Sequence, residues 1–167
     1  MSNDGTWTLK DAAREAGVHP ATLVKRFGSR HSLLMTLSRR WVNARPSAPT
    51  TDNAHQELLD WIKASASPPD DPGEARAGIA MLLEDIKDEE LRALLIEGWT
   101  REIDYLTSLI EHATAEGDLR NAPQSTLAAT LIFDYVNGAQ VRAAATMDAH
   151  RLSDPRDALN FIMEGWK

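Results

Sequence analysis

Between Glu89 and Glu116, apolar residues recur at three- and four-residue steps: Leu91, Leu94, Leu95, Trp99, Ile103, Leu106, Ile110 and Ala113. That spacing draws one apolar stripe along a long helix, with a period that the two-residue alternation of a half-buried strand cannot produce. Gly117 follows where a C-terminal cap belongs. A second long helix is predicted from about Gln124 to Met147, with Leu127, Leu131, Ile132, Tyr135, Val136 and Ala139 as its apolar positions. A third is predicted from near Pro155 to Trp166, with Pro155 in the first turn behind Ser153-Asp154. Shorter helices fit 53–66 and 74–87. No segment alternates cleanly enough to be a strand, so the expected fold class is all-α.

Two stretches break this pattern. Five of the eight prolines sit in Pro46 to Asp52 and Ser67 to Gly73, and proline both removes a donor and turns its predecessor away from helix. The first break separates residues 1–45 from residues 53–167. The charge separates there too. The whole chain carries −7, yet residues 1–45 hold eight Lys/Arg (Lys10, Arg14, Lys25, Arg26, Arg30, Arg39, Arg40, Arg45) against three acids, a balance of +5, and the remainder stands at −12. A basic head on an acidic body admits DNA at one end and repels it at the other.

Several classes are excluded. Cysteine is absent, which removes disulfides, thiolate metal sites and thiol nucleophiles and fits a cytoplasmic location. No run approaches the roughly 18 apolar residues of a membrane helix, and Met1 to Gly5, with Asp4, are no secretory signal. The five histidines (His19, His31, His55, His112, His150) include no pair at helical ligand spacing, and Glu111-His112 lacks a second histidine. The acidic run Asp85, Asp88, Glu89 and Glu90 reads as a solvated helix start. There is no Gly-rich phosphate loop or nucleophile elbow. No cofactor, no metal and no catalytic constellation are expected.

The basic segment reads more specifically. Thr8 with Asp11 forms a capping-box pattern. A short helix carries Leu9, Ala12, Ala13 and Ala16, Gly17 ends it, and Pro20 opens a second short helix with Leu23 and Phe27. Two short helices on a glycine turn, small where they cross, meet the requirements of a helix-turn-helix.

The run Thr8 to Val18, then Thr22-Leu23, Phe27-Gly28-Ser29-Arg30 and Leu33-Leu34, resembles the TetR (TetR/AcrR-like) family of transcriptional regulators over about 27 ungapped residues. Glu116 to Arg120 and Asn137-Gly138 are weaker likenesses. The resemblance implies an N-terminal helix-turn-helix head, residues 1–45 with a connecting helix, and a helical ligand-binding and dimerisation domain, residues 53–167. It implies DNA contacts from Thr8, His19, Pro20, Ala21, Thr22, Lys25, Arg26 and Arg30, with Ser29 capping the next helix. It further implies a homodimer through the last two helices on a palindromic operator of double-stranded DNA, controlled by a small apolar or amphipathic effector.

Some positions depart from the family. Val24 replaces an aromatic, His19 replaces a capping Ser or Thr, and Ala12 is smaller than the usual Ile or Val. Family members also carry a helix ahead of this motif, where here Met1 to Trp7 stand. Leaving Leu23, Phe27, Leu34 and Leu37 bare would forfeit about 5–10 kcal/mol as an upper bound, and Trp7 is one candidate cover. The alternative expectation is therefore a TetR-fold ligand-binding or interaction protein that has lost DNA recognition. For the effector pocket, Trp61, Met81, Trp99, Tyr105, Phe133 and Asn137 are candidates, though aromatics at helical spacing also make an ordinary core. For the dimer interface, Gly138, Ala139 and Ala143 allow close helix approach, and Phe161, Ile162 and Trp166 offer an apolar face.

Overall fold

A computed structural model describes residues 7–67, 72–146 and 154–167. Among them it contains eight α-helices and no strand: α1 (Leu9–Glu15), α2 (Pro20–Phe27), α3 (Arg30–Asn43), α4 (Ala54–Ser65), α5 (Pro72–Lys87), α6 (Glu89–Glu116), α7 (Ser125–Ala145) and α8 (Pro155–Glu164). The all-α expectation agrees with this. No helix among the described residues is long and apolar enough to cross a membrane.

The 28-residue α6, about 42 Å long, is the beam on which the others rest. Its start and stop follow from local chemistry. The Asp88 carboxylate accepts the Leu91 amide at 3.0 Å, and Glu89 and Glu90 lie in the first turn, where acids favour the dipole. Gly117 ends it at φ 89°, a left-handed conformation that a Cβ resists, with its amide returning to the Ala113 and Thr114 carbonyls. Helices α3, α4, α5 and α7 all pack on α6. The main core joins α4, α6, α7 and α8 through Leu58, Ile62, Leu106, Leu109, Ile110, Ile132, Leu159 and Met163, all fully buried.

At the N-terminal end, Thr8 and Asp11 form a reciprocal capping box on α1, Ala13 is fully buried, and Gly17 turns at φ 64°. Ser29 caps α3 through the Ser32 amide, as expected. A smaller cluster of Leu34, Met35 and Leu91 ties α3 to the start of α6, and Trp7 packs against it. Trp7 and Leu94 thus both pack on the cluster that contains Leu34. Leu23 and Phe27 are half-buried, and Leu37 remains 48% exposed.

Boundaries differ modestly from the sequence reading. Helix α5 begins at Pro72 rather than 74, and α8 ends at Glu164 rather than Trp166. Helix α7 ends at Ala145, with Thr146 extended behind it, short of the expected Met147. Residues 68–71 of the second break, Met147, His150, Ser153 and Met1 to Gly5 lie outside the described residues.

The first break is not slack. The Glu57 carboxylate, on α4, accepts both amides and both hydroxyls of Thr50 and Thr51, with N···O distances of 2.9–3.0 Å, and also the Tyr105 hydroxyl of α6. Burial by itself raises this carboxyl, but the bonds from Tyr105, Thr50 and Thr51 outweigh it and hold it at about 2. Burial, together with the bond to Glu57, raises the Tyr105 hydroxyl. A carboxyl depressed on folding stabilises above its unfolded value and loses that contribution as pH falls through the folded one. Between about pH 4.5 and pH 2 the fold is therefore expected to lose about 1–2 kcal/mol through Glu57, after discounting for solvent screening. Urea melts at stepped pH should show the loss, and Glu57→Gln should flatten it.

Candidate functional site

Where α3, α4, α5, α6 and α7 converge, their side chains leave a cleft of about 490 Å³, within the range of small-molecule sites. Its apolar wall comes from Trp41 on α3, Trp61 on α4, Ile79 and Leu82 on α5, Trp99 on α6, and Phe133 and Val136 on α7. Trp99 and Phe133 meet edge to face, with ring centres 6.3 Å apart. Asn137, one turn after Phe133, also lines the cleft while its amide nitrogen donates to the Phe133 carbonyl at 2.9 Å.

The cleft has a charged floor. Glu102 is the one buried charged residue among those described, at 5% exposure. The Trp61 indole N–H donates to its Oε1 at 2.5 Å, and Arg45 Nε lies 2.6 Å from its Oε2 as an ion pair. Arg45 in turn stacks over the Trp41 ring at 5.0 Å. A carboxylate this enclosed is tolerable only because both oxygens are engaged. Trp41 reaches the cleft because Gly98 on α6 has no side chain: a methyl there would overlap the indole.

Four of the six pocket candidates from sequence, Trp61, Trp99, Phe133 and Asn137, line this cleft. Met81 does not; it points outward from α5, 43% exposed. Tyr105 does not either, being buried in the core and bonded to Glu57. Their helical register aims them elsewhere: Met81 falls between the cleft-facing Gly78, Ile79 and Leu82, and Tyr105 lies one turn beyond Glu102 toward α4. Sequence reasoning missed Trp41, Arg45 and Glu102. Only Glu102 left a usable signal, an acid one turn after Trp99 and beside Ile103 on the apolar stripe of α6.

The second candidate surface is α2. His19 caps it through Nδ1, which accepts the Ala21 amide at 3.2 Å, so it performs the role usually given to Ser or Thr. Thr22, Lys25 and Arg26 are exposed, as are His19 and Ala21, with Pro20 half-buried; Thr8 is exposed but engaged in its capping box. Arg30 is placed differently. It forms an ion pair with Glu84 of α5 and stacks on Trp7 at 4.3 Å. Beside it His31 lies 3.4 Å from Asp88 and 2.9 Å from Glu90. Burial and the neighbouring Glu84 and Asp88 raise the Asp85 carboxyl at this joint. Arg30 therefore binds α3 to α5, and a phosphate would have to compete for it.

The last two helices carry exposed apolar side chains. Phe161 is 82% exposed, and Leu127, Leu131, Val141 and Ile162 are also exposed. Of the interface candidates, Phe161 and Ile162 are among these, Gly138 and Ala143 are half-buried, and Ala139 and Trp166 are buried. Trp166 belongs to the core. In comparisons with known proteins, no family model, no curated protein and no solved structure matches this chain.

Proposed function

We propose that the chain is a TetR-like, DNA-binding transcriptional regulator, a repressor acting as a homodimer and controlled by a small molecule in the aromatic cleft. The observation that most supports this is the pairing of two features on one short path. Helix α2 turns Thr22, Lys25 and Arg26 outward from a capped, glycine-linked helix pair, the residue types that reach phosphate and guanine edges. Helix α3 follows directly and runs to the cleft, bringing Trp41 to its wall and Arg45 just beyond its end. An effector that binds one arrangement of α3 better than another would shift the α2 helices of a dimer relative to their half-sites. The exposed Leu127, Leu131, Phe161 and Ile162 are the side chains a second copy would cover.

The test is an anisotropy titration of the full chain against the DNA flanking its own gene. Binding with steep salt dependence is expected, and absence of binding at low salt overturns the proposal. The alternative, a ligand-binding protein of the same fold without DNA recognition, draws on Arg30 being held by Glu84 and on Val24, exposed where the family has an aromatic. The titration itself separates the two, since the alternative gives no binding, and Glu84→Gln then tests the part of Arg30 within the first reading. Releasing Arg30 toward phosphate should tighten DNA binding about two- to fivefold, whereas a purely structural Arg30 leaves affinity unchanged.

A further inference from the structure

We infer that the cleft takes a bulky organic monocation, its charge set against Glu102 and Glu74 and its body against the tryptophan faces. This rests on the reading of the cleft as an effector site. Among the described residues, the charged groups of its lining are two carboxylates, Glu74 and Glu102, and one guanidinium, Arg45. That guanidinium is already committed: Nε lies 2.6 Å from Glu102 and the group stacks over Trp41 at 5.0 Å. A carboxylate beneath and an indole face beside it are the two features that attract an organic cation. The wall thus already holds one cation, the chain's own, by that chemistry.

The remaining lining extends the same environment. Trp61, Trp99 and Phe133 offer further ring surface, and Glu74 has no ion-pair partner among the described residues. Glu102, with its side chain 6% exposed, acts on the cleft with little solvent screening. An anion would be repelled by Glu74 and would find in Arg45 a cation already paired with Glu102. A neutral ligand would gain no Coulombic attraction from either carboxylate. A cation gains from Glu74 directly, and from Glu102 by competing with Arg45 for it. Because Arg45 follows the C-cap of α3, its displacement would loosen that helix end.

Tryptophan fluorescence titrations of the full chain with tetraphenylphosphonium and tetraphenylborate, ions of one shape and opposite charge, test this directly. Phosphonium is expected to bind about tenfold tighter or more. Glu74→Gln, on an exposed position, should weaken phosphonium about two- to fivefold and leave borate no weaker. Arg45→Met should tighten phosphonium severalfold by freeing Glu102; if circular dichroism shows that variant unfolded, the Glu74 variant alone decides. Borate binding as tightly as phosphonium, or no response to Glu74→Gln, overturns the charge assignment while the cleft remains a ligand site. Binding of neither ion overturns both that assignment and the effector reading. Phosphonium binding with the expected Glu74 response, by a chain that does not bind DNA, supports the inference and overturns the regulator reading alone.

Discussion

If α2 binds an operator as proposed, changing Lys25 and Arg26 together to alanine is expected to weaken that binding about 100- to 1000-fold, with the fold intact. Both side chains stand exposed in the last turn of α2, and neither has an ion-pair partner among the described residues. Arg26 only leans over its neighbour Phe27, 5.3 Å from the ring centre. Each lost phosphate or base contact is worth about 1–3 kcal/mol. A two-fold dimer loses four of them, and at the low end of that range the sum already reaches the stated factor. If both contact phosphate, the slope of log affinity against log salt should flatten by about 3–4. Stability should move little, because exposed substitutions usually stay within about 0.5 kcal/mol, and the loss of two cations at a helix C-terminus adds a similar amount. Anisotropy at three salt concentrations, with thermal melts of the same samples, checks both halves. Unchanged affinity in a folded variant would remove α2 from the DNA-binding role.

Gly98→Ala carries the second large effect, on stability and on the cleft at once. A methyl at this position would overlap the six-membered ring of Trp41, with even Cε3 only 2.7 Å away. Neither partner yields easily. Gly98 is buried within α6, and Trp41 is a rigid ring on α3 that also carries Arg45 stacked over it. The two helices must separate or the indole must leave its rotamer, which costs about 2–3 kcal/mol. Alanine's higher helix propensity returns somewhat less than 1 kcal/mol of that. Urea melts should give a net loss of about 1–2 kcal/mol. Because displacing Trp41 also strips the ring from Arg45 and reshapes the cleft wall, the phosphonium titration should weaken in the same variant. A stabilised Gly98→Ala would show that α3 is free to move away from α6.

The apolar stripe of 89–116 made α6 legible before any fold was in hand, because a helix signals itself through local period and its ends through Asp88 and Gly117. The capping box of Thr8 and Asp11 and the turn at Gly17 are equally local, and they stand where the sequence implied. Candidate pocket residues were partly legible for a related reason. Trp61, Trp99, Phe133 and Asn137 lie on the inward faces of amphipathic helices, so an apolar-face argument finds them. The same argument also collects Met81 and Tyr105, since it identifies a face of one helix and not which neighbour that face meets.

What depended on assembly was every partnership across distant residues. Arg45 with Glu102, Arg30 with Glu84 and Glu57 with Thr50 and Thr51 join charged or polar groups whose individual positions look like solvated surface in the sequence. A basic residue at the end of the N-terminal segment fits a DNA contact as well as a cleft wall, and nothing in its neighbours chooses between them. Helix period, capping and charge balance are properties of a few consecutive residues and so are written in the chain itself. Whether Glu102 is buried, whether Trp41 fits against Gly98 and whether Arg30 faces Glu84 depend on how helices cross, which is set by the packing of all of them together.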